Sequence, residues 1–305
     1  MATGGKSLTF YLNIMMNGCL TGLIYGLAAL GLSLIFTVTR VINFAHGGLM
    51  AIGLTGASMV AARHNFDHLL AMPAVAAVLF FGGFLAYRLI IGRIAATPEH
   101  LRTLVMLGLA LILVAGLMAQ SGTPAGADAQ VSRPIDGLAF GPLLLDRITL
   151  RAALMAGIIT ALLALFFNII QTGKAIRACA DSPFGARVIG LSVERLQAAT
   201  FGLGAAITGI AGCLLTQNES GRAPLNADFL TLGVIVALTG GLGSVEGALV
   251  GGMAIGIAEA LSGALLTPPL KELGDYAVIV LVLIARPHGL LGHGSTEHSS
   301  AERGK

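Results

Sequence analysis

Residues 7–39 read SLTFYLNIMMNGCLTGLIYGLAALGLSLIFTVT, a run without a single charged side chain. A membrane-spanning helix needs about 20 mostly apolar residues to cross a hydrocarbon core about 30 Å thick. Gly18, Gly22 and Gly26 recur every four residues in this run, so they share one helix face on which another backbone can approach closely. We therefore expect a membrane helix here that packs tightly through its glycines.

The same pattern continues along the rest of the chain. Further stretches that are free or nearly free of charge are 41–62, 69–87, 103–127, 152–173, 196–218 and 229–270, with a shorter run at 276–285. The stretch 229–270 is too long for one span, and its glycines predict two elements that turn near Gly243–Gly247. The short run spans only if Asp275 and Arg286 lie at opposite interfaces. The sequence predicts an all-α polytopic membrane protein with about eight transmembrane or re-entrant helical elements.

The composition supports this class. Hydrophobic residues make up 55% of the chain and charged residues 11%, against about 25% charged residues in soluble domains. A net charge of +3 without a basic stripe does not suggest nucleic-acid binding. Cys19, Cys179 and Cys213 are too far apart for a disulfide framework or a metal site. No metal, no cofactor and no catalytic residue is predicted.

The distribution of lysines and arginines predicts the orientation. Placing the segment Lys174–Arg195 in the cytoplasm also places most of the 18 basic residues there, as the positive-inside rule requires. The amino terminus is then outside and the carboxyl terminus is cytoplasmic. Cys179 is expected to react with membrane-impermeant thiol reagents from the cytoplasmic face only.

Two polar sites within apolar stretches have open interpretations. Asn43 and His46 follow Arg40, and they are either a helix cap with His46 at the interface or part of a translocation path. Glu259 lies deep in an apolar stretch, so its carboxylate either faces the protein interior or reaches the interface near the end of its helix. Gly240 and Gly241 break the longest apolar stretch and are further candidates for the path.

The segment Lys174–Arg195 alternates charged and apolar residues between two spans. This pattern is typical of a short amphipathic helix that lies on anionic lipid, and it fits a docking helix for a soluble cytoplasmic partner equally well.

Four motifs carry a resemblance to a known family. They are NFAHGGLMAIG (43–53), GKAIRACA (173–180) with IGL at 189–191, LTGGLGSVEGALVGGMAIGIAE (238–259) and ARPHGLLG (285–292). In this order, over nearly the whole chain, they resemble the LivH-type permeases of branched-chain amino-acid ABC transporters. The chain departs from the family's usual Gly-Ile-Asn at Gly190–Ser192, and its external loop at 121–142 is unusually rich in small residues.

The resemblance implies a permease domain over residues 1–292 and a polar cytoplasmic tail over 293–305, in a bacterial-type inner membrane. The implied partners are a second permease subunit of related sequence, two ATP-binding subunits and an extracytoplasmic solute-binding protein. The implied ATPase coupling segment comprises Lys174, Arg177, Ala178, Asp181, Gly185, Arg187 and Gly190. The implied solutes are branched-chain or related amino acids, with urea or short amides as the alternative.

The chain is not expected to be an enzyme. It contains no G-x-x-x-x-G-K-[ST] phosphate loop, since the Gly173-Lys174 pair is followed by Ala175. ATP hydrolysis is therefore expected in the partner subunits. An ion-coupled secondary transporter is a further alternative, although Glu259 and His46 provide few intramembrane ionisable groups for ion coupling.

Overall fold

The computed structural model of the protein describes residues 3–64, 68–95, 97–121, 137–140, 143–215, 226–265 and 272–292. These ranges are mostly helical. The helices are α1 (Thr3–Thr39), α2 (His46–His64), α3 (His68–Leu89), α4 (Glu99–Ser121), α5 (Arg147–Ile169), α6 (Gln171–Asp181), α7 (Pro183–Val188), α8 (Val193–Leu215), α9 (Asn226–Gly240), α10 (Val245–Leu265) and α11 (Glu272–Ala285). A 3₁₀ turn at Ile91–Ile94 follows α3. The predicted tail 293–305 lies outside the described residues.

Six of the described helices are long and apolar enough to cross a membrane, by length and composition. They are α1, α3, α4, α5, α8 and α10, while α9 and α11 contain shorter apolar helices. At 1.5 Å per residue, the 37 residues of α1 extend about 55 Å, well beyond the thickness of the hydrocarbon core. The fold confirms an all-α polytopic membrane protein.

Helices α1 and α10 pack antiparallel through paired glycines. A β-carbon added to Gly18 would lie 2.6 Å from the Gly256 carbonyl oxygen, and one added to Gly22 would lie 2.7 Å from Met253 Cα. Gly26 lies against Ala248 in the same way. The glycine face predicted on α1 therefore packs directly on the backbone of α10, because only glycine leaves room for two backbones at this separation.

Helix α8 is the central helix of the bundle and is buried over most of its length. It packs against α1, α2 and α3. Small residues again permit the contacts, since a β-carbon on Gly83 of α3 would lie 2.9 Å from Ala205 Cβ. The core is therefore built around a helix whose side chains are covered by other helices along most of its length.

A small β-hairpin lies at the end of the bundle where α1 begins. Strands β1 (Gly137–Phe140) and β2 (Leu143–Asp146) are antiparallel, with Gly137 opposite Asp146. Asn13 Oδ1 accepts a hydrogen bond from Leu144 N (2.8 Å), and Asn17 Oδ1 accepts one from Asp146 N (3.3 Å). Asp146 also caps α5 by accepting from Thr149 N (3.0 Å). The hairpin is thereby fixed to both α1 and α5.

Two of the charge-free stretches are not helical over their whole length. In the stretch 41–62 the helix begins at His46, and just before it Asn43 forms a local turn in which its Oδ1 accepts a hydrogen bond from Ala45 N (3.0 Å). The stretch 152–173 is also not one helix. Its chain turns at Ile170, which has extended backbone angles, and Gly173 already belongs to α6.

The stretch 229–270 forms two helices, as predicted, but the turn comes earlier than Gly243–Gly247. The turn occupies Gly241–Ser244, and α10 resumes at Val245. Gly241 and Gly243 adopt φ of 105° and 90°, which other residues rarely do. Asp275, which must lie at an interface if the run 276–285 is to span, is buried within the protein.

Candidate functional site

The segment predicted for coupling folds into two short helices, α6 and α7, between the spans α5 and α8. Ser182 separates them and caps α7, because its Oγ accepts from Gly185 N at 3.1 Å. Cys179, Ala186 and Val193 form a small hydrophobic cluster of their own. This cluster joins α6, α7 and the start of α8 into one compact unit.

Helix α7 presents large apolar side chains away from that cluster. Phe184, Val188 and Ile189 are exposed to 77%, 70% and 72% respectively. They lie in the short stretch between two spans that also carries Lys174, Arg177, Asp181 and Arg187. Apolar exposure on a lipid-facing span is expected, whereas exposure within a charged connecting segment indicates a surface for another molecule.

The predicted coupling residues differ in accessibility. Lys174, Arg177, Asp181, Arg187 and Gly190 are exposed, while Ala178 and Gly185 are half-buried. Gly190 follows α7 and has a φ of 84°, a backbone conformation that glycine adopts without strain. The need for this conformation explains why glycine occupies the position. Reasoning from the sequence counted Val188 and Ile189 among the apolar residues of this segment but did not assign them to the site, and it missed Phe184. The letters PF within a charged stretch are the signal that could have found it.

Helix α6 is fixed to the bundle by two arginine contacts. Arg177 Nη1 donates to Asn168 Oδ1 at the end of α5 (2.8 Å). Arg40 Nη2, in the bend between α1 and α2, donates to the Ala180 carbonyl oxygen in the last turn of α6 (2.9 Å). Both are charge-assisted hydrogen bonds, which are shorter and stronger than neutral ones.

A cleft of about 300 Å³ opens beside α6. Arg177 and Glu246 both contribute to its wall, together with polar groups of Asn168, Thr200 and Ser244. Apolar side chains from α1, α5 and α6 complete it, namely Leu34, Phe167 and Ile176. The cleft brings the coupling segment and the α9–α10 turn to one place, which their separation in the sequence does not predict.

Asn43 and His46 lie in the centre of the bundle and are fully buried. His46 is thus surrounded by protein, and its position relative to the membrane interface stays a prediction. His46 Nδ1 lies 3.3 Å from Thr208 Oγ1, and that hydroxyl donates to the Gly204 carbonyl (2.9 Å). The Thr208 hydroxyl has one proton and donates it to Gly204. The proton in the bond between Thr208 and His46 must therefore be carried by His46 Nδ1.

Gly240 and Gly241 form the junction between α9 and the closing ARPHGLLG segment. Leu290 N donates to the Thr239 carbonyl (2.9 Å), and Leu291 N donates to the Gly240 carbonyl (3.0 Å). The segment thus satisfies carbonyls at the carboxyl end of α9, which would otherwise lack partners. Two of the four sequence motifs meet at this point.

Glu259 is half-buried in α10, six residues before that helix ends at Leu265. The lining of the cleft beside α6 does not include Glu259, Asn43, His46, Gly240 or Gly241. Their assignment to a translocation path therefore stays a prediction.

These features define a multi-pass membrane protein whose helices pack through small residues and whose α6–α7 unit presents an uncovered apolar surface. Residues 14–285 match the family described as the permease component of branched-chain amino acid transport systems, and the chain belongs to that family. It is a transport subunit, and the family operates with ATPase and binding-protein partners.

Named relatives agree with this family over almost their full lengths. The chain is 31% identical to the high-affinity branched-chain amino acid transport system permease protein LivH of Escherichia coli K12, across 94% of the chain and 97% of the relative. It is 27% identical over the same shares to the permease protein BraD of Pseudomonas aeruginosa. It is 26% identical to a probable LivH of Methanocaldococcus jannaschii, across 87% of the chain and 88% of that relative. No solved structure matches the chain.

Proposed function

We propose that the chain imports branched-chain or related amino acids and that ATP-binding subunits drive it through the α6–α7 unit. The observation that carries the coupling assignment is the exposure of Phe184 and Val188 on a short helix between two spans, and of Ile189 directly after it. The names of the relatives support the choice of solute, since they are described as branched-chain amino acid permeases.

The surface of α7 has the properties of a docking helix. Its apolar residues point away from the cluster of Cys179, Ala186 and Val193, so they are available to a groove on a partner. Arg177, Asp181 and Arg187 surround them and can provide a polar rim. An apolar centre with a charged rim is the usual composition of a specific protein interface.

The proposed assembly contains this chain, a second permease subunit of related sequence, two ATP-binding subunits and an extracytoplasmic solute-binding protein. In the proposed orientation the amino terminus is outside, so that α6–α7 lies in the cytoplasm where ATP is available. Arg40, Arg102 and Arg177 support this orientation, since Arg40 contacts α6 and Arg102 Nη1 contacts the Thr39 carbonyl at the same end of the bundle (2.8 Å).

Substitutions in α7 test the proposal. Phe184→Asp removes the largest apolar contact, so we expect the ATP-binding subunits to be lost from the purified complex and uptake of leucine to cease. Ser192→Asp is the matched control, because it adds the same charge at an exposed position of the same segment, and aspartate is a favoured residue directly before a helix such as α8. Arg177→Glu and Gly185→Trp are expected to act in the same direction as Phe184→Asp, with normal amounts of protein in the membrane.

Three results would each contradict part of the proposal. Normal recruitment and uptake in Phe184→Asp would remove the docking assignment. Uptake by vesicles that contain this chain alone, driven by an ion gradient, would replace the importer with a secondary transporter. Uptake of urea or short amides with no response to leucine would leave the coupling intact and change only the solute.

A further inference from the structure

Arg40 occupies a backbone position at which glycine is the usual residue. Its φ is 53°, and it is the one non-glycine residue with a positive φ in the described parts of the chain. Its N–H donates to the Phe36 carbonyl (2.7 Å), the bond that closes the last turn of α1. Helices commonly end with glycine in this conformation, because a β-carbon strains the left-handed backbone.

The side chain of Arg40 makes a contact that glycine would lack. Its guanidinium donates to the Ala180 carbonyl oxygen, 140 residues away in sequence, at the carboxyl end of α6. A cation at this end of a helix is favoured by the partial negative charge of the terminal carbonyl groups. The backbone strain at Arg40 is thus accompanied by a specific bond to the unit that carries the docking surface.

The bend that contains Arg40 leads directly to the buried centre of the bundle. Directly before the bend, the Thr39 carbonyl accepts a hydrogen bond from Arg102 Nη1 of α4 (2.8 Å). After the bend, the five residues from Val41 to Ala45 lead to His46, whose ring contacts α8 and α9. A displacement of the bend is therefore expected to reach the start of α2.

Helices α6 and α7 are packed into one unit with the start of α8. The cluster of Cys179 in α6, Ala186 in α7 and Val193 in α8 joins them, and its members are buried. A partner that moves α7 therefore moves the carboxyl end of α6, where the Ala180 carbonyl is bonded to Arg40.

We infer that Arg40 is a positioning residue that transmits movement of the α6–α7 unit to the start of α2 during coupled transport. This inference rests on the proposed function, in which an ATP-binding subunit docks on α7. Two arrangements of the bend relative to α6, selected by the state of the partner, would expose the solute path to opposite sides.

The decisive variant is Arg40→Gly in the assembled transporter. Glycine relieves the left-handed backbone and removes the whole exposed side chain, including the guanidinium that donates to Ala180, so folding, thermal stability and the amount of protein in the membrane are expected to be retained. Recruitment of the ATP-binding subunits and basal ATP hydrolysis are also expected to be retained. Uptake and its stimulation of ATP hydrolysis are expected to fall by roughly tenfold, the factor that corresponds to about 1.4 kcal/mol.

Two further variants serve as comparisons. Arg40→Lys is expected to recover part of the uptake, because an ammonium group can still donate to the Ala180 carbonyl. Arg88→Ala removes an exposed arginine from the last turn of α3 and is expected to leave uptake unchanged.

The possible results separate this inference from the proposed function. Normal uptake in Arg40→Gly would overturn the role of Arg40. Loss of the ATP-binding subunits from that variant would also overturn it, because Arg40 would then build the docking surface instead of transmitting its movement. Normal recruitment in Phe184→Asp would refute docking on α7, whatever the result at Arg40.

Discussion

The imidazole ring of His46 packs against Gly233 so closely that a β-carbon on Gly233 would lie 2.7 Å from His46 Cδ2. The two residues come from α2 and α9, and the opposite edge of the ring contacts Thr208 of α8. Three helices therefore meet at one buried histidine. The absence of a side chain at Gly233 is what permits this packing.

We expect Gly233→Ala to destabilise the protein by about 1–3 kcal/mol, the usual cost of overpacking a core. Combining it with His46→Ala should recover part of the loss, because the ring that the new methyl group meets is then gone. Thermal unfolding of the wild type, both single variants and the double variant in detergent measures this coupling. Strictly additive effects would show that the two residues do not interact.

The glycine face of α1 gives a second prediction. Gly22→Ala is expected to lower thermal stability and the amount of protein in the membrane, since the new methyl group would lie 2.7 Å from Met253 Cα. Gly108→Ala in α4 is the matched control, because a β-carbon there meets no described atom within 4 Å. The control should be neutral or slightly stabilising, as alanine favours helix by up to about 1 kcal/mol. Equal effects of the two substitutions would argue against tight packing of α1 on α10.

Thiol labelling gives a third prediction and changes the choice of reporter. Cys179 is only 3% exposed, and burial raises the pKa of its thiol. Because the thiolate is the reactive form, Cys179 should react slowly at neutral pH and faster only as the pH approaches the raised pKa. Its accessibility therefore reports burial as well as topology.

Ser192→Cys, in a chain whose three native cysteines are replaced, is the better reporter because position 192 is exposed. We expect it to react rapidly with impermeant reagents from the cytoplasmic face, with a rate that rises at lower pH than that of Cys179. Rapid labelling from outside intact cells would reverse the proposed orientation. Fast labelling of Cys179 at neutral pH would contradict its burial.

The position of Glu259 gives a fourth prediction. Its half-buried carboxylate lies about 9 Å from the end of α10, given 1.5 Å of rise per residue. We expect Glu259→Gln to retain most of the ATP-dependent uptake, because a carboxylate so near the end of its helix can reach the interface. Loss of uptake with normal membrane abundance would place this side chain in the translocation path.

The sequence predicted the class, most of the helices and the glycine faces, because each depends on local pattern. Runs without charge identify membrane helices since ionised groups are costly in lipid. The spacing of Gly18, Gly22 and Gly26 identified a packing face without identifying its partner. The structure supplied Gly256, Gly252 and Ala248.

Other features depended on which parts of the chain lie close together in space. Phe184 is apolar whether or not another helix covers it, and only the packing of α7 shows that its ring is exposed. Arg40 is one of many arginines in the sequence, and its left-handed backbone and its bond to Ala180 appear only when α1 and α6 are placed together. Local periodicity determines that a helix forms and which face is apolar. Contacts between distant segments determine which polar groups are paired and which apolar faces remain uncovered, because burial and hydrogen bonding are properties of the assembled surfaces.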